Sequence, residues 1–148
     1  MVRYVGVADD LARARLAEVG TELLHRPSDD ERAALESSLP PEAIEVRAQV
    51  AIDPPAPGEE DTGMGAWHVN ARTEAHLVLE GDGLVEFMTP HGPVAAVVSG
   101  GDVMVVRGGE HRYRPLTAQQ WAIRHDGGPD DDLGAQETGR AASPWPVV

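Results

Sequence analysis

The sequence predicts a single, mainly β domain: an antiparallel barrel or sandwich preceded by one or two helices. Three observations carry this reading. Between residues 66 and 125, short apolar runs recur at even spacing, broken by "EGDG", "TPHG", "SGGD" and "RGGE", which is the pattern of strands joined by tight turns. Helical periodicity is confined to the segment before residue 40, where apolar positions follow a 3.6-residue repeat. The chain has 148 residues, the size of one ordinary domain and long enough to bury a real core.

Taken in order, "DDLARARLAEVGTELLH" (9–25) places Leu11, Leu16, Val19, Leu23 and Leu24 on one helical stripe, with Asp9 or Asp10 as N-cap. Gly20 interrupts the stripe, so the helix is expected to be short or to end near it. A second helix is expected at about 28–38. There Ser28 and Glu31 have capping-box spacing and Pro40-Pro41 mark a stop. "AIEVRAQVAID" (43–53) alternates and reads as a strand, and the Pro/Gly-rich acidic segment 54–65 reads as a loop. Strands follow at 67–70, 74–79, 83–89, 93–99, 102–107, 111–116 and 120–126. The tail from Gly127 is acidic and aperiodic, so it is expected to be irregular, with Trp145 as the residue that could dock it. Residues 1–65 thus form an N-terminal layer packed on a β core at 66–126, with 127–148 as a tail, all in one domain.

The formal net charge of -13 argues against a nucleic-acid or anionic-membrane partner, because either would repel this surface. With no cysteine, disulfides, thiolate ligands and a thiol nucleophile are excluded. No stretch reaches the 18 apolar residues of a membrane span. "MVRYVGVADD" shows no signal-peptide h-region, so a cytoplasmic location is expected. Phosphate loops, a nucleophile elbow and a basic aromatic patch are not visible in the sequence.

The chemistry concentrates in "HVNARTEAHLVLEGDG" (68–83). Alternate residues of a strand share a face, so His68 goes with Asn70, and Glu74 with His76. In a closed or curled sheet these converge with His111, about forty residues later. Two imidazoles and a carboxylate form the facial set that holds Fe(II) while leaving positions open. Asn70 could add a weak amide oxygen. His76 could either complete that shell or serve as a general base beside Glu74. Taken singly, a strand histidine is more often a surface or core residue than a ligand. His91 reads as a turn residue, His25 as the end of a helix, and His125 as facing away from Arg124. Turn chemistry accounts for Glu80, Asp82 and Asp102.

Residues 66–125 resemble the cupin core, whose first motif reads approximately G-x5-H-x-H-x3,4-E-x6-G and whose second reads G-x5-P-x-G-x2-H. Gly81 follows Glu74 at the motif spacing, and "GDVMVVRGGEH" supplies Gly101, Gly109 and His111. Within the cupins, "EAHLVLEGDGLVEF" and "GDVMVVRGGEHRYRPLT" are most similar to acireductone dioxygenases. The resemblance implies a jelly-roll (double-stranded β-helix) barrel and a divalent metal, Fe(II) or Ni(II), on His68, Glu74 and His111. Asn70 stands where that family has a further histidine ligand. His76 stands where the family keeps an arginine near substrate, Arg107 replaces the second motif's proline, and the turn before His111 is one residue short. The resemblance also implies substrate-binding roles for Arg124, Tyr113 and His76, and catalytic roles for His76, Glu74 and Arg124. Cupins commonly pair through strands, so a homodimer is one expected assembly.

Three functions follow from these residues. The first is a mononuclear metal enzyme of divergent, dioxygenase-like chemistry on a small oxygenated or anionic metabolite. The second is an isomerase, cyclase or dehydratase that moves protons with His76 and Glu74 without dioxygen. The third is a non-catalytic small-molecule-binding cupin.

Overall fold

The computed structural model describes residues 2–38, 50–125 and 134–148. Eleven strands among these residues form two antiparallel sheets. In chain order they are β1 (Arg3–Val5), β2 (Thr21–His25), β3 (Val50–Ile52), β4 (His68–Asn70), β5 (Glu74–Glu80), β6 (Gly83–Thr89), β7 (Gly92–Val98), β8 (Asp102–Val106), β9 (His111–Pro115), β10 (Gln119–His125) and β11 (Ala135–Glu137). The six-stranded sheet runs β1-β7-β6-β9-β4-β11 and the five-stranded sheet runs β2-β8-β5-β10-β3. Sequence neighbours such as β8 and β9, or β4 and β5, lie in opposite sheets, so the chain repeatedly crosses the core and closes a sandwich. The expected strands from 67 to 126 are all present, with ends within a residue or so of the sequence reading.

The core lies between the sheets. Val78, Val85, Phe87, Met104 and Trp121 are buried there with Ala12 and Leu16 of the first helix. Each such side chain contributes about 1.5–3 kcal/mol through the apolar surface it removes from water. In β5 the alternation is clean. Glu74, His76 and Val78 turn inward, whereas Ala75 and Leu77 join Val103 and Val105 in a separate cluster on the other face.

The N-terminal segment departs from the expected long helix. Helix α1 spans Asp9–Glu18 and stops before Gly20, whose φ of +74° is left-handed. Residues 21–25 then form β2, with Thr21 and Leu23 buried and the whole strand paired to β8. Leu23 and Leu24 are therefore alternating strand residues, not part of a helical stripe. A period-2 segment directly after a glycine continues the apolar spacing of the period-3.6 pattern before it, so the two look alike in sequence. His25 accordingly ends a strand, and its Nδ1 bonds Oδ1 of buried Asp102 at 2.6 Å. A helix C-terminus plays no part in placing it. The N-cap of α1 is Ala8, with no side-chain cap bond, and Asp9 and Asp10 lie inside the first turn, where negative charge suits the helix dipole. Helix α2 (Asp29–Ser38) is entered through the expected reciprocal box. The Glu31 amide donates to Ser28 Oγ at 3.1 Å, and the Ser28 amide donates to Glu31 Oε1 at 3.2 Å. The start of the strand expected at 43–53, and the segment 126–133, lie outside the described residues.

The C-terminal residues are more ordered than the sequence pattern implied. Residues 135–137 form β11 on the edge of the six-stranded sheet, paired with β4. Trp145 lies over the guanidinium of Arg112 at 3.9 Å, with Trp67 at 5.0 Å, and its indole N–H donates to Asp61 at 3.0 Å. Arg112 is fully buried, bonded to Glu86 at 2.8 and 2.9 Å and to the Ser143 carbonyl at 3.0 Å. A desolvated guanidinium is tolerable only with such a set of acceptors. The tail and the 54–65 loop are thereby fixed to the outer face of the sheet.

Candidate active site

His68 and His111 occupy directly opposed positions on β4 and β9. The turn before His111, one residue short of the motif, still delivers this histidine to the first one. Their ring centroids are 4.4 Å apart. Each Nδ1 lies 2.7 Å from a backbone carbonyl, His68 from Ala66 and His111 from Gly109. A carbonyl can only accept, so Nδ1 carries the proton in both rings, and in the neutral imidazole Nε2 keeps its lone pair. This is the orientation in which imidazole binds a metal, with the other nitrogen held by a backbone acceptor.

Glu74 opens β5 opposite these rings. It is 1% exposed, and its Oε1 lies 3.9 Å from His111 Nε2 and 4.0 Å from His76 Nε2. Its other oxygen, Oε2, accepts the Asn70 amide N–H at 2.8 Å. Asn70 therefore positions the carboxylate in this arrangement. Burial pushes the Glu74 carboxyl up to about 8, only partly opposed by the Asn70 hydrogen bond. Burial pushes His111 down to about 4, so without a cation burial favours the uncharged forms of both Glu74 and His111 at neutral pH.

Two nitrogen donors and a carboxylate suit a first-row divalent ion. Donor atoms around one ion at 2.0–2.2 Å stand about 3 to 4.3 Å apart, a range that contains both Glu74 distances. Among the described residues, no three His, Asp or Glu side chains form a ready metal cage. The donor chemistry fits a metal, and Glu74 would have to ionise and turn for it.

His76 stacks on Trp121, with ring centroids 5.1 Å apart and planes 20° apart. Tyr113 meets Trp121 edge-on at 4.7 Å, and its hydroxyl donates to Gln119 at 2.5 Å. Burial raises the pKa of that phenol, so it stays protonated. Gly83 makes room for it, since a Cβ there would meet the Tyr113 oxygen. Arg124 pairs with Ala75 in the register, while Ile123 is opposite His76 and lines the cavity. The Arg124 side chain lies outside what the structure describes, and His125 pairs with Glu74.

These groups line a cavity of about 660 Å³, within the range of small-molecule sites. Phe87, Met104, Val106 and Trp121 make its wall, and Met64, Ile52, Ala135 and Glu137 line it from the loop, β3 and β11. The sequence marked the polar residues but not this apolar wall. Val85, Phe87, Met104 and Trp121 carried only a strand signal, and β11 had no periodic signal at all.

A sandwich of this topology, with two histidines and a glutamate at its centre, is a cupin-like fold. A solved structure, acireductone dioxygenase from Bacillus anthracis with a cadmium ion in its active centre, is similar to it with a TM-score of 0.52 and 13% identity, over 84% of this chain and 90% of that one. At that identity the likeness is one of fold. No family model and no curated protein matches the sequence.

Proposed function

We propose that the chain is a divergent acireductone-dioxygenase-like cupin, a mononuclear metal-dependent enzyme acting on a small oxygenated metabolite. The observation that carries this reading is the paired orientation of His68 and His111. Backbone carbonyls hold both Nδ1 atoms, which leaves each Nε2 its lone pair, and that of His111 lies 3.9 Å from the Glu74 carboxyl. When bound, Fe(II) or Ni(II) supplies Lewis acidity and, for iron, access to dioxygen chemistry. Within this reading His68, Glu74 and His111 hold the ion, Asn70 orients Glu74 or adds its own oxygen, and Tyr113 shapes the cavity. His76 lies within one proton relay of Glu74; Arg124, whose register partner Ala75 belongs to the cluster on the other face, takes no role in this reading. The neighbour in fold has a cadmium ion in its active centre, which supports a cation here.

The test is metal content after purification without chelators, followed by calorimetric titration of Fe(II) and Ni(II) into wild type, His68→Ala and His111→Ala. The expected result is stoichiometric uptake, lost by a factor of 100 or more in either variant. Uptake that is absent, or indifferent to both substitutions, refutes the reading.

One observation favours acid–base chemistry instead. A buried carboxyl pushed up to about 8, 4.0 Å from an imidazole, is poised to give and take protons near neutral pH. An isomerase, cyclase or dehydratase would turn over its substrate without consuming oxygen, and an oxygen electrode separates the two readings.

A further inference from the structure

We infer that the cavity takes a neutral molecule with an apolar body and a single oxygen-bearing head, seated with the head at His68, Glu74 and His111. This deepens the reading of the cavity as a small-molecule enzyme site and rests on it.

The polar lining is one contiguous cluster of His68, Asn70, Glu74, His76 and His111, with Phe87, Val106, Met104 and Ile123 as its direct cross-strand neighbours. The remaining wall is aliphatic, thioether and aromatic, with Phe87, Met104, Val106, Trp121 and Ile123 as its main surfaces. Among the described lining residues there is no lysine or arginine. The Tyr113 hydroxyl is already engaged with Gln119, and the Trp121 indole N–H is a further buried polar group of the wall. At the mouth the charged residue is Glu137, paired in register with His68, and the whole chain has a net charge of -13. A carboxylate or phosphate on the body of a ligand would be buried here against apolar surface with no cation among the described lining residues to meet it, and such burial is strongly unfavourable. The head end differs. A hydroxyl or carbonyl there finds imidazole nitrogens and the Glu74 carboxyl within one small cluster. With Glu74 ionised around a divalent cation, that end carries one net positive charge, which a single ionised hydroxyl cancels. A second anionic group has no counterpart.

The test uses two probes with the same head and ring. One is 2-naphthol. The other is 6-hydroxy-2-naphthoate, which adds a carboxylate at the far end. Each is titrated calorimetrically into chelator-treated protein, and again after Ni(II) is added. We expect 2-naphthol to bind at least tenfold more tightly than the hydroxynaphthoate in both series. Equal or tighter binding of the hydroxynaphthoate overturns the proposal, most directly if Arg124→Ala abolishes it. Failure of both probes to bind at millimolar concentration also overturns it. Because the first series contains no metal, failure of the metal reading shows in the Ni(II) titration alone and leaves this comparison intact.

Discussion

Glu74 should make the metal-free protein less stable as the pH rises from mildly acid to mildly alkaline, opposite to the usual effect of a paired carboxylate. Its carboxyl titrates near 4.5 in an unfolded chain and near 8 in the folded protein, because burial disfavours the ionised form. Below pH 4.5 both states hold the proton, and the residue adds no pH dependence. Between 4.5 and 8 the unfolded state has released a proton that the folded state keeps, so stability falls as pH rises. Above 8 both are ionised and the loss is complete. At 1.36 kcal/mol per pKa unit, the difference between 4.5 and about 8 corresponds to a total of about 5 kcal/mol. That is comparable to the whole stability of a marginal domain.

Glu74→Gln keeps the shape and the acceptor for the Asn70 amide while removing the titration. Urea denaturation of chelator-treated wild type and Glu74→Gln at pH 5, 6, 7 and 8 isolates the effect as a difference, since other groups titrate equally in both. The expected result is a gap in favour of Glu74→Gln that widens with pH by roughly 1 kcal/mol per unit. In wild type a divalent cation competes with that same proton, so its apparent affinity should rise about tenfold per pH unit up to about pH 8. Stability curves that run parallel between pH 5 and 8 would refute the reasoning, since Glu74 would then be ionised or solvated in the folded protein.

Two further predictions follow from named contacts. Asn70→His places an imidazole on the face shared with His68 and removes the amide that holds Glu74 Oε2. Ni(II) affinity by calorimetry should rise at least tenfold, and an unchanged affinity would mean position 70 does not face the ion. Arg112→Met leaves Glu86 buried without its cation and unstacks Trp145. It should cost about 3–5 kcal/mol in chemical denaturation, most of it recovered by Arg112→Met with Glu86→Leu. A loss no greater than a surface substitution would show that the guanidinium is not desolvated.

Much of the site was legible because strand geometry is local. Once 68–70, 74–80 and 111–115 are strands, the period of two assigns His68, Asn70, Glu74, His76, His111 and Tyr113 to inner faces. The box at Ser28 and Glu31 was legible for the same reason, since it closes within one turn. The error at residues 21–25 arose where two periodicities meet at Gly20, and only the pairing partner, β8, decides between them.

The sequence by itself determined which residue types are available for chemistry, which of them share a strand face, and that no thiol can take part. Tertiary structure alone decided what surrounds them. The opposition of His68 and His111 depends on β4 and β9 being neighbours, although about forty residues separate them. The elevated Glu74 carboxyl depends on both sheets closing over it. Arg112 was one more polar residue in "HRYRPL" until Trp67 and Trp145 met on its guanidinium. Burial and long-range pairing are properties of the packed chain, and no local pattern encodes them.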